Sequence, residues 1–201
     1  RRMSVATNKK KLILDIATQL FTRFGFAKTS LDEIAAAAQI AKGTVYYYFP
    51  SKEDLFIASV EAKTREYFKM LRQHINSTTG FEEKLTEFLS FPIKLIYENM
   101  PILIECLINI PQSYQEQLIQ FRVKSREVMM QILSEIIQLG KQEDLIDERF
   151  PEDRLCEIIM DWFMIGEPSL KIVDVPRLMT MIERDSDFII KMLLYGIVKR
   201  G

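Results

Sequence analysis

Histidine is almost missing from this 201-residue chain; His74 is the single one. A metal site or an acid–base pair built on imidazole therefore has little to draw on. His74 falls in a long helical stretch among polar neighbours and reads as a surface imidazole. Cysteine is scarce too. Cys106 and Cys156 lie far apart in apolar settings, which suits buried free thiols in a reducing compartment rather than a disulfide or a thiolate cluster. No H-E-x-x-H, G-x-S-x-G, Walker-type or dinucleotide glycine loop occurs, so no catalytic residue, metal or cofactor is expected. No apolar run approaches the ~20 residues of a membrane span. The segment "PILIECLINIP", Pro101 to Pro111, is too short and carries Glu105. With no secretory signal in view, a cytoplasmic protein without a membrane partner is expected. Only seven Gly and seven Pro interrupt a sequence rich in Leu, Ile, Lys, Glu and Met, which predicts an all-α fold.

A net charge of −1 conceals an asymmetry. Residues 1–52 carry nine Lys/Arg against three Asp/Glu, whereas the remainder carries 18 against 25. A basic head on an acidic body suits a chain of which one end meets a polyanion.

The apolar spacing of Ile13, Ile16, Ala17, Leu20, Phe21 and Phe24 predicts a first helix from Asn8, its N-cap, to Phe24, stopped by Gly25. Ser30 and Glu33 make a capping box for a second, alanine-rich helix. With Ala35 as its small residue, Ile34, Ala38, Ile40, Val45 and Tyr48 fall where a helix-turn-helix needs apolar contacts, across the turn Gln39-Ile40-Ala41. Gln39 occupies the left-handed position, which costs a non-glycine residue roughly 1 kcal/mol. A short third helix, Lys42 to Phe49, follows. Ser51 then caps a long helix that runs to about Asn76. Further helices are expected near 81–98, 101–109, 113–139, 151–166 and 186–199, punctuated by Pro101, Pro111, Gly140, Pro151, Pro168 and Pro176.

The run "ILDIATQLFTRFGFAKTSLDEIAAAAQIAKGTVYYYFPSKEDLF" closely resembles the DNA-binding domain of the TetR family of transcriptional regulators. The features that carry it are Phe-x-x-x-Gly-Phe at the end of the first helix, Thr29-Ser30 before "LDEIA", and "KGTVYYYFPSKEDL". Gln39 stands where the family commonly has glycine. The resemblance covers about 45 residues and does not extend recognisably over 80–201. It implies a helix-turn-helix DNA-binding domain at 1–52, a linking helix at about 51–76, and a helical ligand-binding and dimerisation domain over 53–201. It further implies a homodimer on palindromic double-stranded operator DNA in the nucleoid, most often as a repressor released by a small hydrophobic effector. An adaptor whose helix-turn-helix packs on protein is the alternative.

On the short third helix, Val45 and Phe49 turn inward with Tyr48 at the flank, leaving Lys42, Thr44, Tyr46 and Tyr47 outside. Such side chains at the start of a helix in the major groove meet base edges and phosphates. Lys42 suits guanine, and Lys52 adds an ammonium to a helix N-terminus that already favours anions. By resemblance Tyr46 and Tyr48 contact phosphate, Tyr47 contacts a base, and Thr29 matches a phosphate-binding threonine; Gly43 is grouped with them. Arg1, Arg2, Lys9, Lys10 and Lys11 form a basic arm that either tracks the DNA backbone or a minor groove, or is simply solvated.

In the C-terminal region Phe88, Phe91, Ile104, Glu105, Phe121, Met129, Trp162 and Phe163 are pocket candidates. Glu105 and Asp161 raise the question of a cationic ligand. Ile158, Ile159, Phe188, Met192 and Leu193 are candidates for the dimer interface.

Overall fold

The structure, a computed structural model, describes residues 2–100, 102–104, 114–163, 184, 188 and 190–196. These residues contain no β-strand, and the fold is all-α. The helices are α1 (Arg2–Lys28), α2 (Leu31–Ala37), α3 (Lys42–Tyr48), α4 (Lys52–Ser77), α5 (Phe81–Asn99), α6 (Gln115–Gln142) and α7 (Glu152–Phe163). Residues 102–104 and 190–196 are helical as well. Among the described residues, no helix is long and apolar enough to cross a membrane.

The chain divides into two compact units. The first comprises Arg1–Tyr67 together with Ile96–Tyr114, and the second Phe68–Leu95 together with Gln115–Gly201. The unit that holds the helix-turn-helix therefore extends well past residue 52 and includes a segment from mid-chain.

In the first unit α1 begins at Arg2, so Asn8 lies inside the helix instead of capping it. The good helix formers Lys9, Lys10 and Lys11 let the helix continue through this stretch. Ile13, Ala17 and Phe21 are wholly buried at a four-residue spacing. The stripe ends there: Phe24 is 48% exposed, with the Arg23 guanidinium 5.0 Å from its ring. Gly25, at φ 82° and ψ 166°, breaks the helical path as expected of a left-handed glycine. The chain turns at that point, and the half-buried Phe26 rather than Phe24 packs against the core aromatics. Its ring lies 4.9 Å from Phe56 and 6.2 Å from Phe21.

The capping box at Ser30 is complete. The Glu33 N–H donates to Ser30 Oγ at 3.2 Å, and the Ser30 N–H donates to Glu33 Oε2 at 2.8 Å. Ile34, Ala35, Ala38 and Val45 are buried between α2 and α3, with Ile40 and Tyr48 half-buried at the edge. Gln39 takes the left-handed conformation, φ 55°. Leu55, Phe56 and Val60 of α4 complete this core, and Met100 and Ile102 are buried too.

In the second unit α6 packs along α7. Ile132, Leu133, Ile136 and Ile137 of α6 are buried, as are Leu155, Ile159 and Met160 of α7 and Phe81, Leu85 and Leu89 of α5. Gly140 is not a break. It lies buried within α6, where an added Cβ would sit 2.6 Å from Phe81 Cδ2. Glycine is there for close packing. Cys156 is a buried free thiol, pushed up to about 11 by burial and by the Glu152 and Asp153 carboxylates.

Candidate nucleic-acid interface

The seven residues of α3 sort by side. Val45 is 0% exposed and Phe49, which ends the helix, 5%, whereas Tyr46 is 44% and Tyr47 81% exposed. Tyr48 is half-buried, edge-on to Tyr47 with ring centroids 5.0 Å apart. Thr44 is half-buried. Gly43 is exposed, and a Cβ built on it would meet nothing within 4 Å. Two phenols thus face outward because two other residues of the same short helix hold it to the core.

Beside α3 lies a cleft of about 520 Å³ bordered by Lys28, Thr29, Ser30, Lys42, Tyr46 and Lys52 among others. Four residues singled out in the sequence, Thr29, Lys42, Tyr46 and Lys52, therefore share one concavity. Lys52 starts α4, with its ammonium 4.3 Å from the Phe26 ring centroid, which holds a cation at the helix N-terminus. Ser51 caps that helix. Its Oγ accepts the Asp54 N–H at 3.0 Å and donates to Asp54 Oδ2 at 2.6 Å. The one hydroxyl proton is then used, so the Tyr114 hydroxyl 3.2 Å away is the donor to Ser51 Oγ.

Two residues make contacts that the sequence did not predict. Thr29 is 3% exposed, and its hydroxyl donates to the Gly25 carbonyl at 2.8 Å. Breaking the helix at Gly25 leaves a carbonyl in need of a donor, and Thr29 supplies it. Its hydroxyl proton is directed into the protein rather than toward a phosphate. Lys42 is held by Asp32, with Nζ 2.7 Å from Oδ1 and 2.9 Å from Oδ2, and this hydrogen-bonded contact raises the lysine's pKa.

Sequence reasoning passed over Lys28, which is exposed at the end of α1 and borders the cleft. A lysine directly before Thr29-Ser30 was the available signal. Tyr114 gave none, because it lies 63 residues from Ser51. Of the basic arm, Lys9, Lys10 and Lys11 are exposed on α1, and the Lys10 ammonium lies 5.6 Å from the Phe49 ring centroid.

In the second unit the described pocket candidates differ in burial and surroundings. Phe88 (2% exposed) and Met129 (0%) are core residues. Phe91 stacks on His74 at 3.7 Å, and His74 Nε2 lies 2.7 Å from Glu87 Oε2, so this imidazole is half-buried and partnered rather than a bare surface group. Phe121 is half-buried, while Trp162 and Phe163 form the end of α7. Ile104 belongs to the first unit, and Glu105 lies outside the described residues. A cavity of about 280 Å³ is lined by Arg72, Ile75, Lys84, Ile132, Glu135 and Ile136 among others, and by none of the pocket candidates. Asp161 is engaged by Arg126 at 2.6 Å. Of the interface candidates, Ile158 (40%), Phe188 (68%) and Met192 (57%) are exposed, and Leu193 is half-buried. Ile159 is 1% exposed and sits in the core of its own unit. Neighbours on a helix point about 100° apart, so Ile158 and Ile159 serve different faces.

Comparison with known proteins bears on the same segment. Residues 13–59 match the family model described as bacterial regulatory proteins, tetR family. The HTH-type transcriptional regulator RutR of Escherichia coli (strain K12) is 47% identical over 58 residues, 29% of this chain and 27% of that protein. The fatty acid metabolism regulator protein of Bacillus subtilis (strain 168) is 26% identical over 163 residues, covering 76% of this chain and 82% of that one. The crystal structure of the regulator FadR from Bacillus subtilis in complex with stearoyl-CoA aligns with a TM-score of 0.62 at 22% identity, over 93% of this chain and 98% of that one. With its outward tyrosine pair, the segment matched by the family model is a TetR-family helix-turn-helix, the DNA-binding part of a transcriptional regulator.

Proposed function

We propose that the protein is a repressor that binds a palindromic operator as a homodimer and releases it when a small hydrophobic effector occupies its C-terminal domain. The observation that carries the DNA side is the cleft beside α3, where Lys28, Lys42, Tyr46 and Lys52 converge next to the exposed Tyr47. In this reading Lys28, Lys52, Tyr46 and Tyr48 hold phosphates, and Tyr47 and Thr44 reach base edges. Gly43 lets the backbone approach the duplex, and Thr29 acts by fixing the Gly25 turn. The DNA-contacting residues lie within 1–52 and the effector and dimer residues within 53–201, with α4 as the linking helix. Phe88, Phe91, Phe121, Met129, Trp162 and Phe163 lie in or near the effector site, and Ile158, Phe188, Met192 and Leu193 in the dimer face. The protein acts on the nucleoid in the cytoplasm and performs no chemistry on its effector.

The engagement of Asp161 by Arg126 argues against a cationic effector. A fatty acid regulator among the relatives, and a stearoyl-CoA complex among the similar structures, make a long-chain acyl-CoA the first effector to test. The experiment is fluorescence anisotropy on a duplex that the protein enriches from a random library, with and without stearoyl-CoA or a lipophilic amine. Lys52→Ala is expected to weaken binding to enriched and random duplexes alike, while Tyr47→Ala also changes sequence preference. Unchanged affinity for all DNA in both variants defeats the assignment of this face. Release by the amine and not by stearoyl-CoA defeats the effector class.

A further inference from the structure

Asp32 and Lys42 are the second residue of α2 and the first of α3, brought together across the turn. Both oxygens of the carboxylate lie within 2.9 Å of the ammonium, and the side chains are 64% and 54% exposed. Of the three lysines that border the cleft, Lys42 is the one seated on a carboxylate among the described residues; Lys52 sits over an aromatic ring. An ammonium group carries three protons. Asp32 engages at most two of them, which leaves at least one to point away from the protein. A phosphate that approaches Lys42 meets the Asp32 charge beside it, so the local attraction is largely cancelled. A guanine edge offers the uncharged acceptors O6 and N7 and meets no such repulsion.

We infer that Asp32 is a specificity determinant that restricts Lys42 to base edges and keeps it from serving as an indiscriminate phosphate clamp. This rests on the assignment of the α3 face to DNA. In the wild-type protein Lys42 then adds nothing to counterion release on random DNA. Removing the carboxylate charge frees it to neutralise one more phosphate, steepening the log–log salt slope by about 0.9.

The test is salt-dependent anisotropy with the full chain on two probes, the duplex enriched by the wild-type protein and a scrambled duplex of equal composition. Asp32→Asn is expected to tighten binding to the scrambled duplex roughly two- to fivefold, the scale of an exposed ion pair, and to steepen its slope by about one. Discrimination between the two probes falls accordingly. Lys42→Met in the wild-type background is expected to weaken the enriched duplex alone, and in the Asp32→Asn background to abolish the gain. Should Lys42→Met by itself flatten the slope on the scrambled duplex by about one, Lys42 is a phosphate clamp and the inference fails. It fails equally if folded Asp32→Asn, judged by circular dichroism, binds the scrambled duplex no better than wild type. If Asp32→Asn does not fold, Lys42→Met decides alone. Lys52→Ala and Tyr47→Ala serve as controls: if they too have no effect, the assignment of the face is at fault, and if they act while Asp32→Asn does not, the role of Asp32 is.

Discussion

Replacing Gly140 by alanine would put a methyl carbon 2.6 Å from Phe81 Cδ2 and 2.8 Å from Ile146 Cδ1. Both neighbours are essentially inaccessible, Phe81 at 0% and Ile146 at 1% exposure, so neither has solvent to retreat into. Phe81 is further fixed by its place at the start of α5, directly after Gly80 at φ 72°. Overpacking of this kind costs about 1–3 kcal/mol. Against it stands the helix-propensity gain of alanine over glycine, about 1 kcal/mol. The net expectation is no gain in stability and a loss of up to about 2 kcal/mol, a fall in Tm of up to about 8 °C for a chain of this size. Gly43→Ala is the paired control, because it too lies in a helix but its Cβ meets nothing within 4 Å. There the propensity gain should appear unopposed and Tm should rise, while DNA affinity falls if the duplex approaches that backbone. Thermal and urea unfolding followed by circular dichroism measure both. A rise in stability for Gly140→Ala comparable to that of Gly43→Ala would refute the packing argument, since propensity would then govern both sites.

Three other perturbations test separate parts of the structure. Tyr114→Phe removes the donor to Ser51 Oγ; a loss of about 1 kcal/mol of stability and weaker DNA binding are expected by calorimetry and anisotropy, and wild-type values in both would show the bond to be idle. Cys156, its thiol raised to about 11 behind buried surroundings, should resist a neutral thiol reagent in a Cys106→Ser background until the protein unfolds; rapid labelling of the folded state contradicts its burial. Glu33 is held below the usual carboxylate range chiefly by the Ser30 hydroxyl and N–H. A depressed carboxyl stabilises fully above its unfolded pKa and loses that contribution as pH falls through the folded value. Wild type should therefore lose Tm in acid more steeply than Ser30→Ala, and parallel acid profiles would count against the capping box.

The local grammar of the head was legible because each signal there acts over a few residues. Ser30-x-x-Glu33, the left-handed Gln39 and the inward Val45 and Phe49 all depend on neighbours within one or two turns, and all appear in the structure. What escaped depends on contacts that spacing does not encode. Phe24 fits the stripe of α1 by period, yet after the break at Gly25 it is Phe26 whose ring packs on Phe56. Thr29 carries the right residue type for phosphate, but its proton answers a carbonyl exposed by that same break. Gly140 looks like punctuation until Phe81 and Ile146 are seen against it. The apolar residues of α5, α6 and α7 resisted division into core, pocket and interface because all three demand the same chemistry.

The composition of the first compact unit also has a temporal side. The ribosome delivers residues 1–67 well before Ile96–Tyr114, which belongs to the same unit. At about 5–20 residues per second, the interval lasts some seconds, long compared with the microsecond formation of helices. During that time α4 is capped by Ser51 and Asp54 alone, without the Tyr114 hydroxyl, and Met100 and Ile102 have yet to enter the core. The DNA-contacting helices leave the ribosome ahead of Ile96–Tyr114, yet their unit is complete only once that segment has followed.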